Sequence, residues 1–338
     1  MAVPEPHPAP ASARYAKRGP WTRLRRHPAG NVAIVFGFFL AACIVASLAM
    51  PDDFRFLSSA NIRILLRAIA PIGIMALGVG ILMIAGEFDL SIAATFTLAP
   101  YMMVLAWGAG APEVVAVVVA LGTAAIVGLV NGAITLGFGI PSFITTLGML
   151  FMIRSGSRLI TDMRPLNFSA AETWFIKGLA GKIGVVPVQF LWFVVFAVIA
   201  HLLLNHHRLG NHFFAVGGNR AAATATGINV ARTKMIAFVL CSICAALAGI
   251  LSIARQKSAT VEPQLFLELE AIAIVVIGGV IITGGRGAVL GIVLGACILQ
   301  MVKDVLFLGR APGYYLDLFV GVVIVVAVVL NMWAAKRY

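Results

Sequence analysis

Stretches of about twenty apolar residues recur along this chain, separated by short clusters of charge, glycine and proline. A helix needs about 20 such residues to cross the roughly 30 Å of hydrocarbon in a bilayer. Windows of that kind fall at 31–50, 65–85, 90–107, 113–137, 142–160, 188–204, 235–254, 270–282, 288–308 and 314–333. The pattern predicts an all-α polytopic membrane protein of about ten transmembrane helices. The eighth window is short, so either its boundaries lie elsewhere or the span is broken or partly re-entrant.

The interruptions carry the candidate chemistry. Gly86-Glu87-Phe88-Asp89-Leu90-Ser91 places two carboxylates between apolar runs that hold no other charge, Ile69–Ala85 and Ile92–Trp107. A carboxylate at mid-bilayer costs about 2.5–3.5 kcal/mol even on the lenient insertion scale. The pair therefore marks either a turn at the membrane surface or a path buried in protein. Gly137-Phe138-Gly139-Ile140-Pro141 and Thr283-Gly284-Gly285-Arg286-Gly287 break the pattern again, and irregular backbone in hydrocarbon is tolerated only where protein or a cavity covers it. Glu268-Leu269-Glu270-Ala271-Ile272 in the second half echoes Glu87-Phe88-Asp89-Leu90-Ser91-Ile92 in the first, a short match of the kind an inverted repeat would leave.

Composition agrees with the class. Hydrophobic residues make up 61% and charged residues 11% of the 338, with mean hydropathy +1.01. The 34 glycines suit helices that approach closely within a membrane. The net charge of +12 would suggest nucleic acid in a soluble protein, but its distribution follows membrane topology. Arg14, Lys17, Arg18, Arg23, Arg25 and Arg26 stand against Glu5 in a Pro/Ala-rich leader over residues 1–30, expected to be disordered and cytoplasmic. The apolar run from Val32 to Met50 is longer than the roughly 7–15 residues of a signal h-region, so an uncleaved first helix is expected. With an even number of spans the 334–338 tail is cytoplasmic too. The same alternation puts 162–187 outside and 205–234 inside, where Arg208, Arg220, Arg232 and Lys234 meet no acid. Arg55, Arg63 and Arg67 fall on the wrong side for this rule.

Residues 217–228 of that inner loop read as a short helix, with Asn219 capping its start and Gly227 its end. It is either a docking element or an ordinary surface helix. Other candidates have blander readings. Cys241 and Cys244 have redox spacing but sit in an apolar helix, as small hydrophobes do. His201, His206, His207 and His212 lack the i, i+4 pair of a helical metal site. Lys303 with Asp304, and Arg154 with Arg158, are expected to reach the outer interface by snorkelling, the arginines alternatively steering an acidic partner.

The chain resembles the ribose-type ABC sugar permeases, membrane subunits of bacterial carbohydrate importers. The resemblance rests on Gly86–Ser91, Asn131-Gly132, Gly139–Gly148, Gly218-Asn219 with Gly227–Val230, and Glu268–Ile272 with Ile277–Gly279 and Gly284–Gly287, in that order over roughly 57–333. It implies a 31–333 transmembrane domain in the bacterial inner membrane, a permease dimer with a second copy or homologue, two ABC ATPase subunits inside and a periplasmic substrate-binding protein outside. It also implies that Gly217, Gly218, Asn219, Arg220, Ala221, Ala222, Ala223 and Gly227 form the ATPase-coupling element within 205–234. Family members commonly carry Pro-Glu where this chain has Arg220-Ala221, and Gly-Gly-Ile-Asp-Leu-Ser where it has Gly86–Ser91, so that Glu87 stands in place of a glycine.

No Gly-x4-Gly-Lys-Ser/Thr loop occurs, so the chain is not expected to be an enzyme or to bind a cofactor; ATP and Mg belong to the partner ATPase. The expected cargo is a monosaccharide or related polyol. Glu87, Asp89, Ser91, Asn131, Ser142, Thr145, Thr146 and Glu270 are the candidates for translocation or gating, with no metal site. Two alternatives stand beside this reading: an ion-coupled secondary transporter using Glu87, Asp89 or Glu270, and an ABC permease for branched-chain amino acids.

Overall fold

The structure is a computed structural model that describes residues 29–167, 174–262 and 265–315, and beyond them 318–322, 325, 326 and 329. Residues 1–28 of the basic leader and the 334–338 tail lie outside the described residues. The chain forms α1 (Gly30–Ala49), α2 (Ser59–Ile84), α3 (Ile92–Gly108), α4 (Glu113–Phe138) and α5 (Ser142–Thr161). After β1 (Leu166–Asn167) come α6 (Trp174–Ala180), β2 (Lys182–Ile183), β3 (Val186–Pro187), α7 (Val188–His206), α8 (Arg208–Gly218) and α9 (Arg220–Ala225). The remainder is α10 (Val230–Gln256), β4 (Ser258–Ala259), α11 (Leu267–Ile277) and α12 (Val289–Leu308).

Six of these helices, α1, α2, α4, α7, α10 and α12, are long and apolar enough to cross a membrane, and α3 is a shorter apolar helix. The protein is thus an all-α membrane protein. Three of the ten sequence windows stand apart. The window at 142–160 becomes α5, which carries Arg154 and Arg158; the one at 314–333 is only partly described. The eighth window shrinks to the 11 residues of α11, too short to span at about 1.5 Å per residue. Its remainder, through Gly279 at φ +81° and Gly284 at φ +88°, is irregular backbone.

Two helices hold the core. Side chains of α2 are buried without interruption from Ile72 to Ile84, and those of α10 from Ala248 to Ala254. All-round burial explains why neither reads as a one-sided helix. Gly78 lets them cross closely: a Cβ there would lie 2.6 Å from Cys244 Cβ and 3.1 Å from the Cys241 backbone. α4 uses the same device, since a Cβ on Gly128 would come within 2.8 Å of the Phe238 carbonyl oxygen on α10. The peripheral helices α1, α4 and α7 turn residues such as Phe38, Val118, Ile126 and Val198 outward, as lipid contact requires. The interrupted order of a long helix, a short one and another long one occurs at α2–α3–α4 and again at α10–α11–α12.

α10 runs the depth of the bundle, about 40 Å at 1.5 Å per residue, with α9 beside its first turn. At its far end, residues 257–262 form a strap. β4 pairs antiparallel with β1, matching Ala259 to Leu166 and Ser258 to Asn167. Glu262 then binds Arg158 Nε and, at 3.4 Å, Arg154 Nη2 of α5. The two arginines expected to snorkel are thus paired with the strap, partly exposed at this end of the bundle. The hydrogen bond from Arg158, ahead of the attraction to both arginines, holds the Glu262 carboxyl below its ordinary range.

Two predictions follow from this packing. Gly78→Leu should destabilise the bundle by about 1–3 kcal/mol through overpacking, seen as a lower thermal midpoint in detergent, whereas Gly122→Ala, where a Cβ meets no neighbour, should not. Because the Glu262 pKa is depressed, its pairing is intact above the ordinary glutamate range of about 4.3 and fails as pH falls through the lower folded value. Amide exchange over 257–262, corrected for intrinsic rate, should rise in that acid window, and Glu262→Gln should show the same rise at neutral pH.

Candidate functional site

The segment between α2 and α3 is built around Asp89. Gly86 turns the chain at φ +81° immediately after α2, a backbone angle that favours glycine. The next residues run inward to a fully buried carboxylate. Asp89 Oδ1 accepts from the Ser91 N–H at 2.8 Å and the Ser91 hydroxyl at 2.7 Å, and Oδ2 accepts from Asn131 Nδ2 at 3.1 Å. Asn131 also donates to Ser91 Oγ at 2.8 Å. The first turn of α5 completes the pin: Ser142 Oγ accepts from the Phe88 N–H and Thr146 Oγ1 from the Leu90 N–H, each at 3.0 Å. Of the candidates for translocation or gating, Asp89, Ser91, Asn131, Ser142 and Thr146 therefore meet in one network. Thr145 is buried beside them in sequence, but its Oγ1 has no hydrogen-bond partner.

Glu87 and Glu270 do not join that network. Glu87 accepts from Lys234 Nζ at 2.5 Å, tying the α2–α3 segment to the first turns of α10. Glu270 sits at the opposite end of the bundle and accepts from Lys303 Nζ at 2.6 Å. Asp304, next to Lys303, is buried and accepts from Asn61 Nδ2 at 2.7 Å. Lys303 and Asp304 are thus held by partners on α11 and α2, which corrects the expectation that both snorkel to the interface. The sequence reading missed Lys234 and Lys303 as partners. The available signal was that a charge inside an apolar span needs a counter-charge.

At the α9 end, three segments touch backbone to backbone. The Gly285 N–H donates to the Ile84 carbonyl at 2.8 Å, joining the last residue of α2 to the α11–α12 loop. Gly217, at the end of α8, lies against both: a Cβ on it would strike the Ile84 carbonyl oxygen and stand 2.7 Å from Gly285 N. A Cβ on Gly284 would lie 2.9 Å from Gly86 Cα and 3.0 Å from the Gly217 carbonyl oxygen. Four glycines from three distant stretches are therefore needed at one crossing.

From that crossing the chain enters α9. Asn219 caps it, its Oδ1 accepting from the Ala222 N–H at 3.0 Å, and Gly227 follows its end at φ +83°. Ala223 is the one α9 residue that is buried, packed with Val216 and Val230. Arg220, Ala221, Ala222, Thr224 and Ala225 are exposed. The short helix is thus anchored at one point and presents the rest of its surface outward.

The histidines serve local structure: His201 contacts Asn205 Nδ2 at 2.9 Å, and His207 Nδ1 accepts from the Leu209 N–H at 3.2 Å. Cys241 and Cys244 are free thiols.

A family profile described as "Branched-chain amino acid transport system / permease component" matches residues 61–328. The ribose import permease protein RbsC of Escherichia coli K12 is 34% identical over 297 residues, covering 86% of this chain and 92% of that protein. The xylose/arabinose import permease protein XylH of Sulfolobus acidocaldarius is 31% identical over 311 residues, covering 89% and 85%. YphD of Escherichia coli K12, described as a probable ABC transporter permease protein, is 32% identical and covers 87% of each chain. No solved structure gives a significant match. With a profile spanning most of its length and relatives above 30% identity that align nearly end to end, this chain belongs to the branched-chain amino acid transport system / permease component family, in the company of sugar import permeases.

Proposed function

We propose that the chain is the membrane-spanning permease subunit of an ATP-driven importer that moves a monosaccharide or related polyol delivered by a periplasmic binding protein. In this reading about ten spans cross the bacterial inner membrane with both termini cytoplasmic, and the subunit works as a dimer with a second permease. The 217–228 element docks on a separate ATPase, which holds ATP and Mg. Closure of the ATPases pushes α9, and alternating access follows, with the sugar crossing along the dimer axis.

The observation that carries the reading is the glycine crossing. A push on α9 reaches Gly217 within a few residues, and Gly217 lies against both the break after α2 and the loop before α12. Backbone in direct contact, with no side chain to yield, transmits a displacement of one segment to the others. One input thereby moves the Asp89 segment and the α11–α12 loop together. Support for a sugar comes from the names of the ribose and xylose/arabinose relatives. Against the ion-coupled alternative stands the pairing of its three carboxylates: Glu87 with Lys234, Glu270 with Lys303, and Asp89 with three donors. The branched-chain amino acid alternative keeps the family description on its side.

In vesicles containing the chain with its ATPase, Ala222→Glu should reduce ATP-driven uptake at least about tenfold while membrane insertion and the thermal midpoint stay unchanged. Gly218→Pro should reduce uptake as much while also lowering the midpoint, since proline ends α8 without its last N–H bond. Survival of uptake in both variants would overturn the coupling assignment. Asp89→Asn turns a donor toward the Asn131 amide and should cost about 1–3 kcal/mol of stability, read as a lower midpoint. Uptake by the unaltered protein should persist when sodium and proton gradients are collapsed; its loss would favour the ion-coupled reading.

A further inference from the structure

At the end of the bundle opposite α9 lies a cavity of about 530 Å³ formed by α2, α3, α10, α11, α12 and the strap. Ligand pockets run to about 300–1,000 Å³, so a single monosaccharide fits with some water. Its lining is unusual for a bundle this apolar: Arg67, Gln256, Thr260, Glu270, Gln300 and Lys303 all reach it. Polar side chains within membrane helices are costly and mark a pathway or a partner. Arg67 is also one of the arginines that violate the expected charge topology, and the cavity gives its guanidinium somewhere to go; its Nε has no hydrogen-bond partner.

We infer that each protomer carries, in this cavity, its own acceptor site for a neutral polyhydroxylated ligand, where sugar released by the binding protein is held before it reaches the dimer axis. The inference rests on the permease reading and adds to it a site within one subunit. Three features choose the ligand class. The carboxylates are already matched inside the protein, Glu270 by Lys303 at 2.6 Å and Glu262 by Arg154 and Arg158. An amino acid's ammonium would therefore have to displace an existing partner. What remain are the amide of Gln300, the hydroxyls of Ser258 and Thr260 and the guanidinium donors of Arg67 and Arg255, which repel an ammonium, and a sugar hydroxyl can both donate and accept. Finally, Phe96 and Pro71 give the wall an apolar portion that the C–H face of a sugar ring can cover, while the predominantly polar lining offers little to a leucine-like side chain. The strap supplies Thr260 and Glu262 and is fastened to α5 by the arginine pairs, so one wall of the site is set by the α5 contact.

The test is saturation-transfer NMR on the purified full chain in lipid nanodiscs, with D-xylose, D-ribose, D-galactose and myo-inositol as probes and L-leucine and D-galacturonate as comparisons. At least one neutral probe should bind, and Gln300→Leu and Thr260→Val should each weaken it about fivefold, the loss of one hydrogen bond, with an unchanged thermal midpoint. Absence of binding by all four neutral probes, binding untouched in both variants, or preference for leucine or the uronate would overturn the assignment. Uptake measured alongside separates the two readings. ATP-driven uptake without cavity binding removes this site and leaves the permease, whereas ion-driven uptake removes the permease reading itself.

Discussion

The structure depends on one backbone contact: the Gly285 N–H donating to the Ile84 carbonyl, with Gly217 packed against the pair. Three loops that would otherwise end separately at one side of a helix bundle are joined there. A carbonyl at a helix C-terminus lacks an intrahelical partner, and at Ile84 the missing donor comes from 201 residues further along the chain. Any side chain at Gly217 would remove the close approach. The crossing makes the short α9 mechanically continuous with the interior, although α9 has one buried residue of its own.

The charges inside the bundle work differently. Lys234 with Glu87 and Lys303 with Glu270 are mostly buried, with side-chain exposures of 11% to 19%. Desolvation offsets much of the Coulomb gain in such pairs, so their role is to fix which elements meet rather than to add stability. Each links a helix end to an interrupted segment: the start of α10 to the α2–α3 break, and the end of α12 to the start of α11. Asp304 with Asn61 extends the second link to α2. Interrupted helices leave backbone and charge that lipid cannot satisfy, and these links satisfy them from within the protein.

The position of Glu87 shows how a departure from a family pattern is accommodated. Where the sugar-permease pattern that the chain resembles has glycine, this chain places a carboxylate two residues from the buried Asp89, which alone would be costly. Lys234 lies within reach because Gly86 reverses the chain toward the first turns of α10. At Arg220-Ala221 the departure leaves no internal trace, since both residues face outward from α9. Its consequence falls on whatever surface α9 meets.

Much of the architecture was legible in the amino-acid order because it is local. Apolar runs long enough to span, the glycine and proline breaks at 86–91, 137–141 and 283–287, and the Asn219 cap all depend on neighbours within a turn or two. The breaks and the cap appear where the pattern places them, and six of the ten apolar windows become helices long enough to cross. The gathering of Asp89, Ser91, Asn131, Ser142 and Thr146 was legible as a set of candidates but not as a network, because periodicity says which face a residue occupies and not what lies opposite. The partners of Glu87, Glu270 and Asp304 were not legible at all. They are separated by 147, 33 and 243 residues, and one-dimensional spacing carries no information about such pairs. The sequence by itself determined the membrane class, the helices and their breaks, because hydrocarbon imposes helix length and punishes charge along the chain. Only the tertiary structure decided the glycine crossing, the ion pairs and the polar cavity, because each needs atoms from helices whose relative placement is set by packing.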